Sequence, residues 1–259
     1  MTNGSTTSSN TPRRIPFEGV ANFRDLGGYV TAGGQSIAWR RLYRSDSLAE
    51  LTDQDHELWR ELGIRAVCDL RLTSERDSAP DRLPQNADLT EHHIGFLPEG
   101  ANEMLRAIRA GELNSAEITE EVIRHYRCLP LDHLAEYRAV FDLLDRPQNH
   151  PVVIHCTSGK DRTGLAIALI LLALGIPEDQ VLADYVLTNS YRRDVSHIFK
   201  LYIGDAEMQT LTSAQPEYFT AALGAIQREY GSTRNYLRDG IGLDDTRLKR
   251  LRAAFLEEA

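Results

Sequence analysis

The chain has 259 residues, 42% of them hydrophobic and 26% charged, with a formal net charge of −9. That length supports a single domain with a sizeable core, and the acidic balance argues against a nucleic-acid partner. No apolar run reaches the length of a bilayer span, which argues against stable membrane insertion.

In chain order, residues 1–14 come first, rich in Ser, Thr and Asn and closing on Arg13 and Arg14. They lack the apolar core of a signal peptide and read as a disordered tail. The three cysteines, Cys68, Cys128 and Cys156, are widely spaced. Such usage suits a reducing, cytoplasmic setting better than a disulfide framework, with export that needs no signal peptide left open. Residues 15–259 then read as one domain. "VANFRDLGGYVTAGGQSI" has two Gly-Gly pairs between short β-like runs and predicts an N-terminal hairpin. Thr52 caps a helix over "DQDHELWREL", and Gly63 ends it. "IRAVCDL" reads as a buried strand and "DLTEHHIGF" as a weaker one. Residues 100–129 carry apolar helical stripes (Met104, Leu105, Ile108; Ile118, Val122, Ile123) around the breaker "AGELN". They interrupt the strand–helix alternation and are expected to fold over the site as a lid, the competing reading being plain core helices. Leu134, Tyr137, Val140, Phe141 and Leu144 share one helical face. After Pro177 the chain reads as helical in "EDQVLADYVLTNSY", "PEYFTAALGAIQREY" and "DDTRLKRLRAAFLEE". Strands alternating with helices predict an α/β fold with a mostly parallel central sheet flanked by helices. Sites in such sheets form at the carboxyl ends of the strands.

"VVIHCTSGKDRTG" falls at such an end. Val152, Val153 and Ile154 read as a buried strand, and from Thr163 the chain is a helix apolar on nearly every face, closed by Gly175 and Pro177. A strand, a short loop and a helix N-terminus make an anion site, because free backbone N–H groups and the positive dipole end converge there. The thiolate is the reactive form of cysteine, and such a setting favours it. An anion held by the N–H groups of Thr157, Ser158, Gly159, Lys160 and Asp161 would lie over the sulfur of Cys156. Arg162 can clamp two phosphate oxygens with its planar fork. Gly159 lets the loop turn its N–H groups inward. The Thr163 hydroxyl can bond the departing sulfur, and His155 can anchor the loop through its ring nitrogens. Together these residues suit phosphoryl transfer through a cysteinyl-phosphate. A Walker loop would need Ser or Thr after Lys160, where Asp161 stands. One Cys beside one His is thin for zinc, and adjacent His92 and His93 on a strand point to opposite faces, so neither a metal nor a cofactor is expected. A merely structural cysteine would leave the three charges at the strand-to-helix turn unexplained.

The loop from His155 to Gly164 resembles the signature of cysteine-dependent tyrosine phosphatases. The Lys160-Asp161 pair narrows the resemblance to the atypical bacterial tyrosine and lipid phosphatases of the mycobacterial secreted phosphatase B type. "NFRDLGGY" (22–29), "LYRSD" (42–46) and "ADYVLTN" (183–189) are similar to further blocks of that family. The resemblance implies a tyrosine-phosphatase-like fold, with Cys156 as nucleophile, Arg162 as phosphate clamp and Asp161 as general acid or base. The mobile Trp-Pro-Asp loop of ordinary tyrosine phosphatases is absent, since Trp39 and Trp59 are each followed by Arg. Lys160 would contact additional phosphate or shape the pocket. Asp69 is a second candidate acid, against the plainer reading of a salt bridge to Arg71. Arg24 and Asp25 read as a structural ion pair, Tyr43 and Arg44 as braces of the sheet, and Tyr185 and Asn189 as core packing or support for the loop. Cys68 reads as a buried inert thiol, with a redox disulfide to Cys156 as the alternative. The expected activity is that of a protein-tyrosine phosphatase, with a phosphotyrosine protein as partner. The alternatives are a phosphoinositide phosphatase and an inactive phosphate-binding module.

Overall fold

The apolar strand segments assemble around the loop quoted above. The computed structural model describes residues 13–85, 88–194, 196–199 and 203–258. Its strands are β1 (Arg24–Asp25), β2 (Gln35–Ile37), β3 (Leu42–Ser45), β4 (Ala66–Asp69), β5 (Thr90–His93), β6 (Val152–His155) and β7 (Leu256–Glu258). Five form one sheet in the order β1-β3-β6-β4-β5. Only β1, at one edge, runs antiparallel to its neighbour, so the central sheet is mostly parallel.

Both faces of the sheet's centre are covered, which is why β4 and β6 open on continuous apolar runs, Ala66 to Cys68 and Val152 to Ile154, rather than alternating. Leu42, Ala66, Cys68, Val152 and Ile154 face the larger core. Tyr43, Val67 and Val153 face a smaller one with Phe17, Phe23 and Trp59. Trp59 lies on α1 (Asp53–Leu62), whose Thr52 cap and left-handed Gly63 terminus are as the sequence predicts. Then follow α2 (Thr73–Ser78), α3 (Ala101–Arg109), α4 (Ser115–Asp132), α5 (Leu134–Leu144), α6 (Arg162–Leu174), α7 (Glu178–Tyr191), α8 (Ser196–Phe199), α9 (Asp205–Thr212), α10 (Pro216–Tyr230), α11 (Thr233–Asn235) and α12 (Asp245–Phe255). The central α6 is buried almost all round, which explains why its apolar residues show no preferred face. Among the described residues no helix is long and apolar enough to cross a membrane.

Two local expectations change, and a third falls largely outside the described residues. The predicted N-terminal hairpin is reduced to a bridge from Val30 to Ser36, because β1 pairs with β3, and β2 pairs with β7 from the far end of the chain. The last predicted helix stops at Phe255, its final residues forming β7 instead. The tail assigned to residues 1–14 lies outside the described residues except for its two arginines. The Arg13 guanidinium donates to the carbonyls of Asp25 (3.2 Å) and Gly27 (2.7 Å) and lies 3.8 Å from the Tyr29 ring centroid. Arg14 bridges Arg24.

Candidate active site

The parallel strands β3, β6 and β4 end level with one another, Ser45 and Asp69 flanking His155 in register. The loop that leaves β6 therefore starts in the middle of the sheet's carboxyl edge and runs into the first turn of α6. Gly159 makes its turn at φ +67°, and a Cβ there would lie 2.5 Å from the Ser45 carbonyl oxygen and 2.8 Å from the Asp46 nitrogen. The loop can therefore pack against β3 only as glycine. Gly159→Ala should cost about 1–3 kcal/mol from the left-handed backbone and a comparable amount from the clash. Denaturant unfolding and inhibition by inorganic phosphate would measure this, with both stability and phosphate affinity expected to fall.

The loop is braced from behind. The Arg44 guanidinium donates to the Gly159 carbonyl at 2.6 Å and to Asp184 on α7 at 2.5 Å. Arg24 reaches the same carboxylate at 3.4 Å. Arg24 and Asp25 thus do not pair with each other: Asp25 instead accepts from the backbone N–H groups of Gly27 and Arg40. Arg44 does more than brace the sheet, since it ties the loop to α7.

At the floor of the cleft the Cys156 residue is only 1% exposed. Arg162 enters from the helix start, its Nη1 donating to the carbonyls of Leu70 (3.0 Å) and Phe96 (3.1 Å). Glu75 of α2 takes both amino groups of Arg162, at 2.7 and 2.8 Å, and accepts from the Thr157 hydroxyl at 2.5 Å. Burial opposes charge on both partners. The paired bonds outweigh it, so the Glu75 carboxyl is held below the usual range and the Arg162 guanidinium is pushed above its own. Nothing in the sequence singled out Glu75, which lies 87 positions from Arg162. Its only local signal is the bond it accepts from the Leu72 N–H at the start of α2.

These groups open onto a cleft of about 870 Å³. Its walls include Leu97, Met104, Leu105, Val122 and Leu129. The segment 100–129, expected as a lid, supplies all of these but Leu97 through α3 and α4. Ile118, Val122, Tyr126 and Leu129 also belong to the main core, so α4 is at once a core helix and a wall.

The sequence profile of the tyrosine phosphatase family matches residues 15–257. The chain belongs to this family. The triple specificity protein phosphatase PtpB of Mycobacterium tuberculosis is 30% identical over 283 aligned positions, covering 94% of this chain and 99% of that protein. A protein of Cupriavidus necator assigned to the tyrosine-protein phosphatases is 29% identical over 242, covering 91% and 86%. A tyrosine-protein phosphatase of Nostoc commune is 24% identical over 219, covering 81% and 72%.

The remaining predicted site residues of this phosphatase divide between the cleft and the cluster behind it. Ser158, Lys160 and Asp161 line the cleft with Cys156, Thr157 and Arg162. The Lys160 ammonium, however, is turned to the carbonyls of Leu211 (2.5 Å) and Ser213 (3.4 Å) and to Asp161 (3.3 Å). The residue is 3% exposed, so it ties the loop to the end of α9. Asp69 faces the back of the loop, bonded through both oxygens to Arg71. Burial would raise its carboxyl; His155 and Arg71 outweigh this and hold it below the ordinary range. The Asp69–Arg71 pair is the plainer of the two sequence readings, and it leaves Asp69 no place among the cleft walls.

His155 is also behind the loop, its Nε2 3.3 Å from Asp81 and 3.7 Å from Asp69, its Nδ1 3.4 Å from the Cys156 carbonyl. Burial favours the neutral ring, but the two carboxylates prevail and raise its titration above that of a free histidine. Asp69, Asp81 and His155 are within 4.8 Å of one another, a spacing that could hold a metal. Arg71 lies 2.8 Å from both carboxylates, so the cluster already carries its own cations. The Thr163 hydroxyl is buried and makes no hydrogen bond among the described residues. Asn189 exchanges bonds with the Ala214 backbone rather than with the loop. The cysteines are all free, and burial followed by the Asp69 charge pushes the Cys68 thiol far up. That environment disfavours the thiolate which disulfide exchange requires.

Proposed function

We propose that the chain is a phosphomonoesterase that acts on phosphotyrosine through a cysteinyl-phosphate on Cys156. In the first step the Cys156 sulfur attacks phosphorus, the S–P bond forms, the ester P–O bond breaks, and Asp161 gives its proton to the departing oxygen. In the second, Asp161 takes a proton from water as the water oxygen attacks phosphorus; the S–P bond breaks and phosphate leaves. Arg162 and the N–H groups of the loop hold the phosphoryl oxygens throughout, an electrostatic contribution present before reaction begins.

The observation that carries this reading is the convergence of Cys156, Arg162 and Asp161 on one cleft at the N-terminus of α6. Depth favours tyrosine: a nearly inaccessible sulfur at the floor between apolar walls suits a long, flat aryl phosphate better than a short phosphoserine. Two of the cleft cations that a polyphosphorylated inositol could recruit are engaged elsewhere. Lys160 serves carbonyls and Asp161, and Arg193 pairs with Asp46 (3.0 Å) and Glu50 (2.6 Å). A panel of phosphotyrosine peptides, phosphoserine peptides and soluble phosphoinositides tests this. The highest kcat/KM is expected for phosphotyrosine, and a higher value for an inositide would transfer the site to the lipid reading.

Asp161→Asn is expected to slow substrates with poor leaving groups by about 10²–10⁴-fold, and activated aryl phosphates far less. Asp69→Asn is the control. If the leaving-group dependence followed Asp69 instead, Asp161 would be only an electrostatic element of the loop.

A further inference from the structure

Asp161 does not face the substrate with both oxygens. The Tyr126 hydroxyl on α4 donates to its Oδ1 at 2.7 Å, and the Lys160 ammonium lies 3.3 Å from that same atom. Oδ2 has no hydrogen-bond partner among the described residues, and the Asp161 side chain is 37% exposed within the cleft lining. Behind Tyr126 stands Tyr185 of α7, the two hydroxyl oxygens 2.7 Å apart. Because the single proton of Tyr126 goes to Asp161, Tyr185 donates to Tyr126. Tyr185 is itself fixed: its ring packs so closely over Gly164, in the first turn of α6, that a Cβ there would lie 3.1 Å from it. Both tyrosines are buried, and their rings meet edge to face at 6.1 Å. This chain of three groups links α7, α4 and the loop, yet neither hydroxyl has a part in bond making.

We propose that Tyr126, backed by Tyr185, is the positioning residue for Asp161: by occupying Oδ1 it makes Oδ2 the oxygen that carries the proton to the leaving group and takes it from water. The proposal rests on Asp161 being the acid and base. A carboxylic acid free to rotate would present either oxygen, and part of the time neither, to the ester. A donor fixed by a buried partner removes that freedom, which is how modest misplacement of a catalytic group becomes a large rate effect. The same contact joins the acid to α4, so a shift of this wall would displace the proton donor. Other titratable or charged groups around Asp161 are Lys160 and Arg162 beside it, His125 on α4, Tyr137 on α5 and Tyr218 on α10.

Tyr126→Phe tests this with aryl phosphates of graded leaving-group strength. The expected result is a kcat loss about 10- to 100-fold greater for the poorest leaving group than for the most activated, with KM changed far less. Tyr185→Phe should give a smaller effect of the same kind. In an Asp161→Asn background, Tyr126→Phe should add no further leaving-group dependence. Equal slowing of every substrate by Tyr126→Phe would overturn the positioning role while leaving Asp161 as acid. Absence of leaving-group dependence in Asp161→Asn alone would overturn the underlying reading as well.

Discussion

Cys156→Ser is expected to lower turnover of an aryl phosphate by about 10⁴- to 10⁶-fold while leaving phosphate binding in place. A serine hydroxyl is a far weaker nucleophile than a thiolate and needs a base; His155 is turned to the carboxylates behind the loop, and Asp161 must hold the proton for the leaving group in the first step. The cradle does not depend on the sulfur for its shape. Gly159 is fixed by Arg44, and Thr157 and Arg162 by Glu75. Single-turnover kinetics and calorimetric titration with inorganic phosphate would separate the two effects. Turnover at the wild-type rate would exclude a sulfur nucleophile, and loss of phosphate binding would show that the loop had collapsed.

Asp184→Asn is expected to remove about 3–5 kcal/mol of stability, the usual cost of breaking a buried ion pair by deleting one partner. That is a large share of the roughly 5–15 kcal/mol by which a domain is stable. Asp184 is buried between Arg24 and Arg44 and also accepts from the Tyr29 hydroxyl at 3.1 Å. The variant leaves two guanidinium groups with no carboxylate between them. Burial alone would raise the Asp184 carboxyl; the two arginines prevail and hold it below the ordinary range. A carboxyl lowered on folding contributes its full stability above the unfolded value of about 4, and loses that contribution as pH falls through its value in the fold. Denaturant titrations from neutral pH down to about pH 3 should therefore show a shallower acid-side loss in Asp184→Asn than in the wild type. Because Arg44 also holds the Gly159 carbonyl, phosphate affinity should fall with stability.

The loop that leaves β6 was legible because its candidate residues are contiguous. Cys156, Gly159 and Arg162 are spaced by the strand–loop–helix geometry itself, and the apolar segments on either side mark the strand and helix. The supporting groups were not legible, because they meet the loop only through the tertiary fold. Glu75 sits on a six-residue helix with no buried residues. Tyr126 reads as one more apolar position on α4, and its hydroxyl finds Asp161 only when the fold brings α4 to the loop. Asp184 looked like an ordinary polar residue in "ADYVLTN" until Arg24 and Arg44 arrived from the other end of the chain. The same separation explains the N-terminal hairpin: local turn signals were correct around Gly33 and Gly34, but the partner of β2 lies more than two hundred residues away, as Gln35 opposite Glu258. Lys160 was placed correctly in the loop, but its direction depends on carbonyls at the end of α9, which no spacing rule reveals.

The most direct test of cysteinyl-phosphate chemistry is to trap the intermediate. Asp161→Asn should slow the attack of water, so an activated aryl phosphate, whose departure needs little acid assistance, will load the enzyme faster than it empties. Rapid acid quenching followed by peptide mass analysis is expected to find one phosphoryl group on the peptide carrying Cys156, and none when Cys156→Ser is added. A phosphoryl group on another residue would contradict the mechanism. So would a burst of the released aryl alcohol that persisted without Cys156.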